Sequence, residues 1–97
     1  MKVKIKVMSM TRKDTIIVEN NNMFVNGIEK EADIEKFLRR LFCIVASWES
    51  ELINLAVLDG ESYEINIDDG INVAKYIGKN KYPKNYGEFI NLINEVI

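Results

Sequence analysis

The chain opens on an alternation. Lys2, Lys4 and Lys6 interleave with Val3, Ile5 and Val7, a period of two that puts apolar side chains on one face of a strand and ammonium groups on the other. This predicts a first strand over 2–10. The β-branched run Thr15-Ile16-Ile17-Val18 predicts a second, followed by Asn20-Asn21-Asn22, residues that tolerate left-handed turn conformations. Met23-Phe24-Val25 then folds back as a short third strand, and Asn26-Gly27 marks another tight turn.

From Glu31 the period changes. Ile34, Phe37, Leu38, Leu41, Val45, Trp48 and Leu52 share one side of a helical wheel, so a helix is expected from 31 to between 49 and 51. Alternation returns at Ile53, Leu55 and Val57 and again at Tyr63, Ile65 and Ile67, with Asp59-Gly60 between them reading as a hairpin turn. Asp69-Gly70 repeats that signal ahead of a strand over 71–77, which Gly78 is expected to end. Asn85 and Glu88 have capping-box spacing, so Asn85 is expected to cap a last helix whose inner side carries Phe89, Leu92, Ile93, Val96 and Ile97. The order β-β-β-α-β-β-β-α, without repeat or linker, predicts one α+β domain over 1–97. Two helices would pack on one face of a largely antiparallel sheet.

Composition supports a self-sufficient fold. Ninety-seven residues, 47% of them hydrophobic and 29% charged, are enough to build one core without cross-links. A net charge of −2 gives no global field to attract nucleic acid or an anionic membrane. The longest apolar run, Leu41 to Ala46, is far shorter than the ~20 residues a helix needs to cross a bilayer, and the alternating start lacks the apolar core of a secretory signal. The lone Cys43 and the absence of an Asn-x-Ser/Thr acceptor fit a reducing cytoplasm. Abundant Ile, Lys and Asn fit an AT-rich bacterial genome.

The chemistry is mostly negative. Without histidine, nucleophile triads that depend on imidazole cannot be assembled. One cysteine, no EF-hand loop and no glycine-rich phosphate loop leave no expected metal, cofactor or nucleotide site. The acids Asp59, Glu61, Glu64, Asp68 and Asp69 belong to turns and a strand, and the strand's two ends lie about 20 Å apart. No catalytic residue is therefore expected, and the chain is read as a binding protein.

Two surfaces stand out. On the first helix Arg39, Arg40, Phe42, Cys43, Ile44 and Ser47 lie beside or opposite the core stripe. Phe42, Ile44 and Ala46 extend apolar character beyond that stripe, so the middle of the helix needs cover from a loop or from another chain, including a second copy in a homodimer. The arginines beside Cys43 are the setting in which a thiol becomes reactive, although cysteine more often serves as a small buried hydrophobe. The second surface is Lys75, Tyr76, Lys79, Lys81, Tyr82, Lys84 and Tyr86, an acid-free segment whose cations and rings are the combination that binds phosphates and stacks bases. Lys2, Lys4, Lys6, Arg12 and Lys13 would add to it, unless the lysines serve to block association at a sheet edge.

Leu58-Asp59-Gly60-x-x-Tyr63 and Gly78-x-Asn80-x-Tyr82-Pro83-x-Asn85-Tyr86-x-x-Phe89 resemble a pattern found in small uncharacterised bacterial domains. There an Asp-Gly turn precedes an aromatic strand and a Gly-x-Asn-x-x-Pro-x-Asn-aromatic segment opens the final helix. Tyr63 stands where that pattern has Trp, and the resemblance implies no activity. The leading expectation is a cytoplasmic protein acting through protein contacts, of the inhibitor, immunity or adaptor kind, including one encoded by a mobile element. The alternative is an anion or single-stranded nucleic-acid binder using 75–86. An enzyme working through carboxylates or Cys43 comes third.

Overall fold

The lysine alternation at the N-terminus becomes the middle of a sheet. The computed structural model describes residues 1–54 and 60–97. Its elements are β1 (Lys2–Met8), β2 (Lys13–Glu19), β3 (Asn22–Val25), β4 (Ile28–Lys30), α1 (Ile34–Val45), β5 (Glu51–Ile53), β6 (Ser62–Asp68), β7 (Val73–Lys79) and α2 (Tyr86–Val96). The seven strands lie in the order β4-β3-β2-β1-β6-β7-β5. Every neighbouring pair is antiparallel except β5 and β7. This is the α+β class that the pattern predicts, with one strand more.

The period of two decides what faces what. Val3, Ile5 and Val7 are buried beside Ile16, Val18, Tyr63 and Ile65 of the adjoining strands, and Phe37, Leu41, Ile44 and Val45 of α1 join Phe89, Leu92 and Ile93 of α2 in the same core. Both helices therefore cover one face. They run in opposite directions: Arg40 meets Glu95 towards one end, and Trp48 meets Asn85 at the other. The other face carries the lysines. Cross-strand register sets Lys2 between Glu19 and Asp68, and Lys6 between Thr15 and Glu64, so the charges of these two are offset where they stand, whereas Lys4 lies between Ile17 and Asn66. No helix among the described residues is long and apolar enough to cross a membrane.

Several boundaries differ from the expectation for local reasons. Asn20 and Asn21 take φ of 53° and 61° and close the β2–β3 hairpin as expected, but Asn26 and Gly27, at 52° and 83°, close a second one. That turn returns the chain as β4. Asn26 also locks it, donating from its amide nitrogen to Asp14 and accepting from the Thr15 N–H at 2.8 Å. The Asn26 amide and then the Arg12 guanidinium hold the Asp14 carboxyl below its usual range.

Helix α1 starts where Asp33 accepts a hydrogen bond from the Lys36 amide, and it stops at Val45 rather than near Glu49. Trp48 is buried all the same, because the chain leaves the helix along the core side. Leu52, the last residue of the predicted stripe, belongs to β5. The expected hairpin across Asp59-Gly60 is not what β5 forms. β1 and β7 occupy the two edges of β6, so β5 pairs in parallel with the outer edge of β7, Leu52 lying opposite Gly78. Leu55, Val57 and Asp59, which that expectation also used, lie outside the described residues. Gly78 does not end its strand either. It sits inside β7 opposite Tyr63, whose ring fills the space a side chain there would need: a Cβ would lie 1.9 Å from a ring carbon.

Candidate functional site

The six residues read as a partner surface on α1 separate into three groups. Ile44, only 9% exposed, belongs to the core, and Phe42 is half-buried against it. The helix is therefore covered on the Ile44 side by its own fold, through α2, which corrects the expectation that this residue needs an outside partner. Arg40 is held by α2, its guanidinium forming two hydrogen bonds with the Glu95 carboxylate. Arg39, Cys43 and Ser47 are exposed.

Between the helices this leaves a groove of about 420 Å³, lined by Arg39, Arg40, Cys43 and Ile44 from α1 and by Glu88 and Asn91 from α2. A second hollow, about 380 Å³, lies on the other flank of α1 and is lined by Met1, Glu35, Leu38, Arg39 and Phe42. Arg39 borders both, and it makes no ion pair among the described residues.

The Lys/Tyr segment is also divided. Lys75 and Lys79 lie in β7 on the helix-free face, where Lys75 stands 3.6 Å from Glu64. Tyr76 points the opposite way, its ring edge-on to Trp48 at 6.5 Å. The Tyr82 hydroxyl accepts from the Glu61 amide and donates to the Glu61 carbonyl, both at 2.8 Å, while its ring stacks on Tyr86 at 4.6 Å. Tyr86 in turn packs against Tyr63 and Phe89. Lys81 and Lys84 are exposed in the loop before α2. Tyr76 and Tyr86 thus leave the cations for the core, whereas Tyr82 stays exposed in the loop with Lys81 and Lys84. Arg12 leaves the proposed basic stripe as well, bonding Asp14 and reaching Asn94 of α2.

The sequence reading did not foresee a polar knot at this end of the core. Asn85 occupies the N-cap position of α2 but makes no capping bond. Its carbonyl oxygen accepts from the Trp48 indole at 2.6 Å, and its amide nitrogen donates to the Ile44 carbonyl at 2.8 Å, one of the carbonyls a helix C-terminus leaves open. Nearby, the hydroxyls of Tyr63 and Tyr86 and one oxygen of Glu61 are buried without a hydrogen-bond partner among the described residues. Burial, and secondarily the charge of Glu49, raises the Tyr63 phenol above its usual range; burial and then Glu61 raise that of Tyr86 further. Of these, Tyr63, Asn85 and Tyr86 belong to the spaced sequence pattern noted above. Asn85, Tyr86 and Phe89 could be found as a pattern, but their contacts could not.

Among the described residues, no three Asp, Glu or Cys side chains gather closely enough to hold a metal ion. The groove between the helices is exposed and polar-rimmed, with Arg39, Arg40, Glu88 and Asn91 along it. The chain matches no protein-family model, and comparison with curated proteins and with solved structures finds no similar one.

Proposed function

We propose that this chain is a non-enzymatic binding module that holds a partner protein in the groove between α1 and α2. The observation that supports this is the groove itself: about 420 Å³, with Cys43 offering apolar contact, Arg39 a cation that makes no ion pair among the described residues, and Glu88 and Asn91 a polar opposite wall. A partner segment that brings one apolar side chain and one carboxylate fits that lining, the carboxylate pairing with Arg39 in a charge-assisted bond. The proposed setting is the cytoplasm of a bacterium, and the role that of an inhibitor, immunity protein or adaptor.

The test is affinity capture from the source cell with the native chain and with Asn91→Trp, which fills the groove from an exposed position on α2. A partner bound by the native chain and lost by the variant supports the groove; equal capture by both rejects it. A second reading keeps one observation of its own, a hollow of about 250 Å³ on the helix-free face that Lys6 and Lys79 border. If it binds anions, a labelled oligonucleotide should be retained at low salt and released steeply as salt is added.

A further inference from the structure

We propose that the β6–β7 turn of one copy docks into the hollow beside α1 of a second copy of this chain, with Ile71 as the knob and Met1, Leu38 and Phe42 as the socket. This does not rest on the groove between the helices; it uses the opposite flank of α1.

The knob is presented on a fixed turn. Ile71 is 92% exposed, and the Asp69 carboxylate accepts hydrogen bonds from the amides of Ile71 and Asn72 at 2.8 and 2.7 Å. The Asp68 carboxylate accepts from the Gly70 amide at 2.8 Å, and Gly70 takes a φ of 94° that few other residues adopt. A branched apolar side chain on so constrained a turn has little freedom to lose on docking. The socket is the hollow of about 380 Å³ whose apolar lining is Met1, Leu38 and Phe42.

Knob and socket occupy the same end of the molecule, because the pairing of Lys2 with Asp68 sets Met1 beside the β6–β7 turn. That adjacency is what a two-fold contact needs, each copy giving its knob and receiving the other's. Charge points the same way. Arg39 stands on the rim of the socket without an ion-pair partner among the described residues, whereas Asp68 and Asp69 precede the knob by three and two residues. Glu35, also on the rim, requires those carboxylates to approach from the Arg39 side.

The experiment is sedimentation velocity of the full chain across a wide concentration range. The native protein should pass from one copy to two and stop there. Ile71→Asp should weaken the dimer by at least about a hundredfold, since each substitution is felt twice in a two-fold contact, and its circular dichroism melt should match that of the native chain. Arg39→Asp should also weaken it, and adding Asp68→Lys to that variant should recover part of the loss, a rescue that a foreign partner for Arg39 would not produce. A protein that stays monomeric at millimolar concentration, a dimer indifferent to Ile71→Asp, or growth past two copies would each overturn the proposal.

Discussion

Asn85 shows how far a residue's work can lie from its local signature. Its spacing to Glu88 reads as a cap, yet its side chain joins the indole of Trp48 to the Ile44 carbonyl. Asn85→Ala would strand both groups in a partly buried setting, and urea unfolding should show a loss of about 2–4 kcal/mol, above that of a simple cap. The tyrosines should behave in the opposite way. Among the described residues the hydroxyls of Tyr63 and Tyr86 are buried without hydrogen-bond partners, so Tyr63→Phe and Tyr86→Phe should leave stability unchanged or raise it by about 1 kcal/mol. Gly78→Ala would drive a methyl group into the Tyr63 ring and should cost about 1–3 kcal/mol in the same experiment.

The two phenols also fix the sign of an alkaline effect. Because burial raises both above the ordinary value of 10.0, the folded chain holds these protons more tightly than the unfolded chain does. Their contribution is constant below about pH 10, where phenols in the unfolded chain titrate, and it is lost progressively as pH rises beyond it. Melting temperature should therefore fall above that pH, less steeply in the double Tyr→Phe variant.

At the scale of elements, the two helices begin differently. Asp33 caps α1 through the Lys36 amide, so Asp33→Ala should cost about 1 kcal/mol in a thermal or urea melt. α2 has no side-chain cap of its own and is anchored through packing, with Phe89, Leu92 and Ile93 buried beneath it. The turns show a matching division. Asn20, Asn21, Asn26 and Asn80 all sit at positive φ, which accounts for four of the chain's eleven asparagines: short polar side chains are the non-glycine residues that enter this region most readily.

For the whole molecule, sheet order sets where stability resides. β1 is paired along its length with β2 and with β6, while β4 and β5, three residues each, form the edges. Amide hydrogen exchange should be slowest in β1 and β6 and fastest in β4 and β5. Short edges with charged residues, Glu29 and Lys30 on one side and Glu51 on the other, also resist further strand addition. The positive charge of the helix-free face is partly offset, because Lys2, Lys6 and Lys75 stand beside acids in the neighbouring strands while Lys4, Lys13 and Lys79 do not.

What the amino-acid order alone determined was everything that depends on near neighbours. The periods of two and 3.6 gave β1, β2, β3, β6 and β7, the two helices and the side of each that is buried, since a pleat or a helical turn sorts consecutive side chains without help from the rest of the chain. It also supplied the asparagine turns and the absence of imidazole. Only the tertiary structure decided that β5 joins β7 in parallel, that Gly78 is a space for Tyr63, that Ile44 is enclosed and Cys43 is not, and that Tyr76 and Tyr86 turn away from the lysines of 75–86. Each of these depends on residues far apart in sequence competing for one volume or one sheet edge, and a chain read in order holds no record of who arrives there.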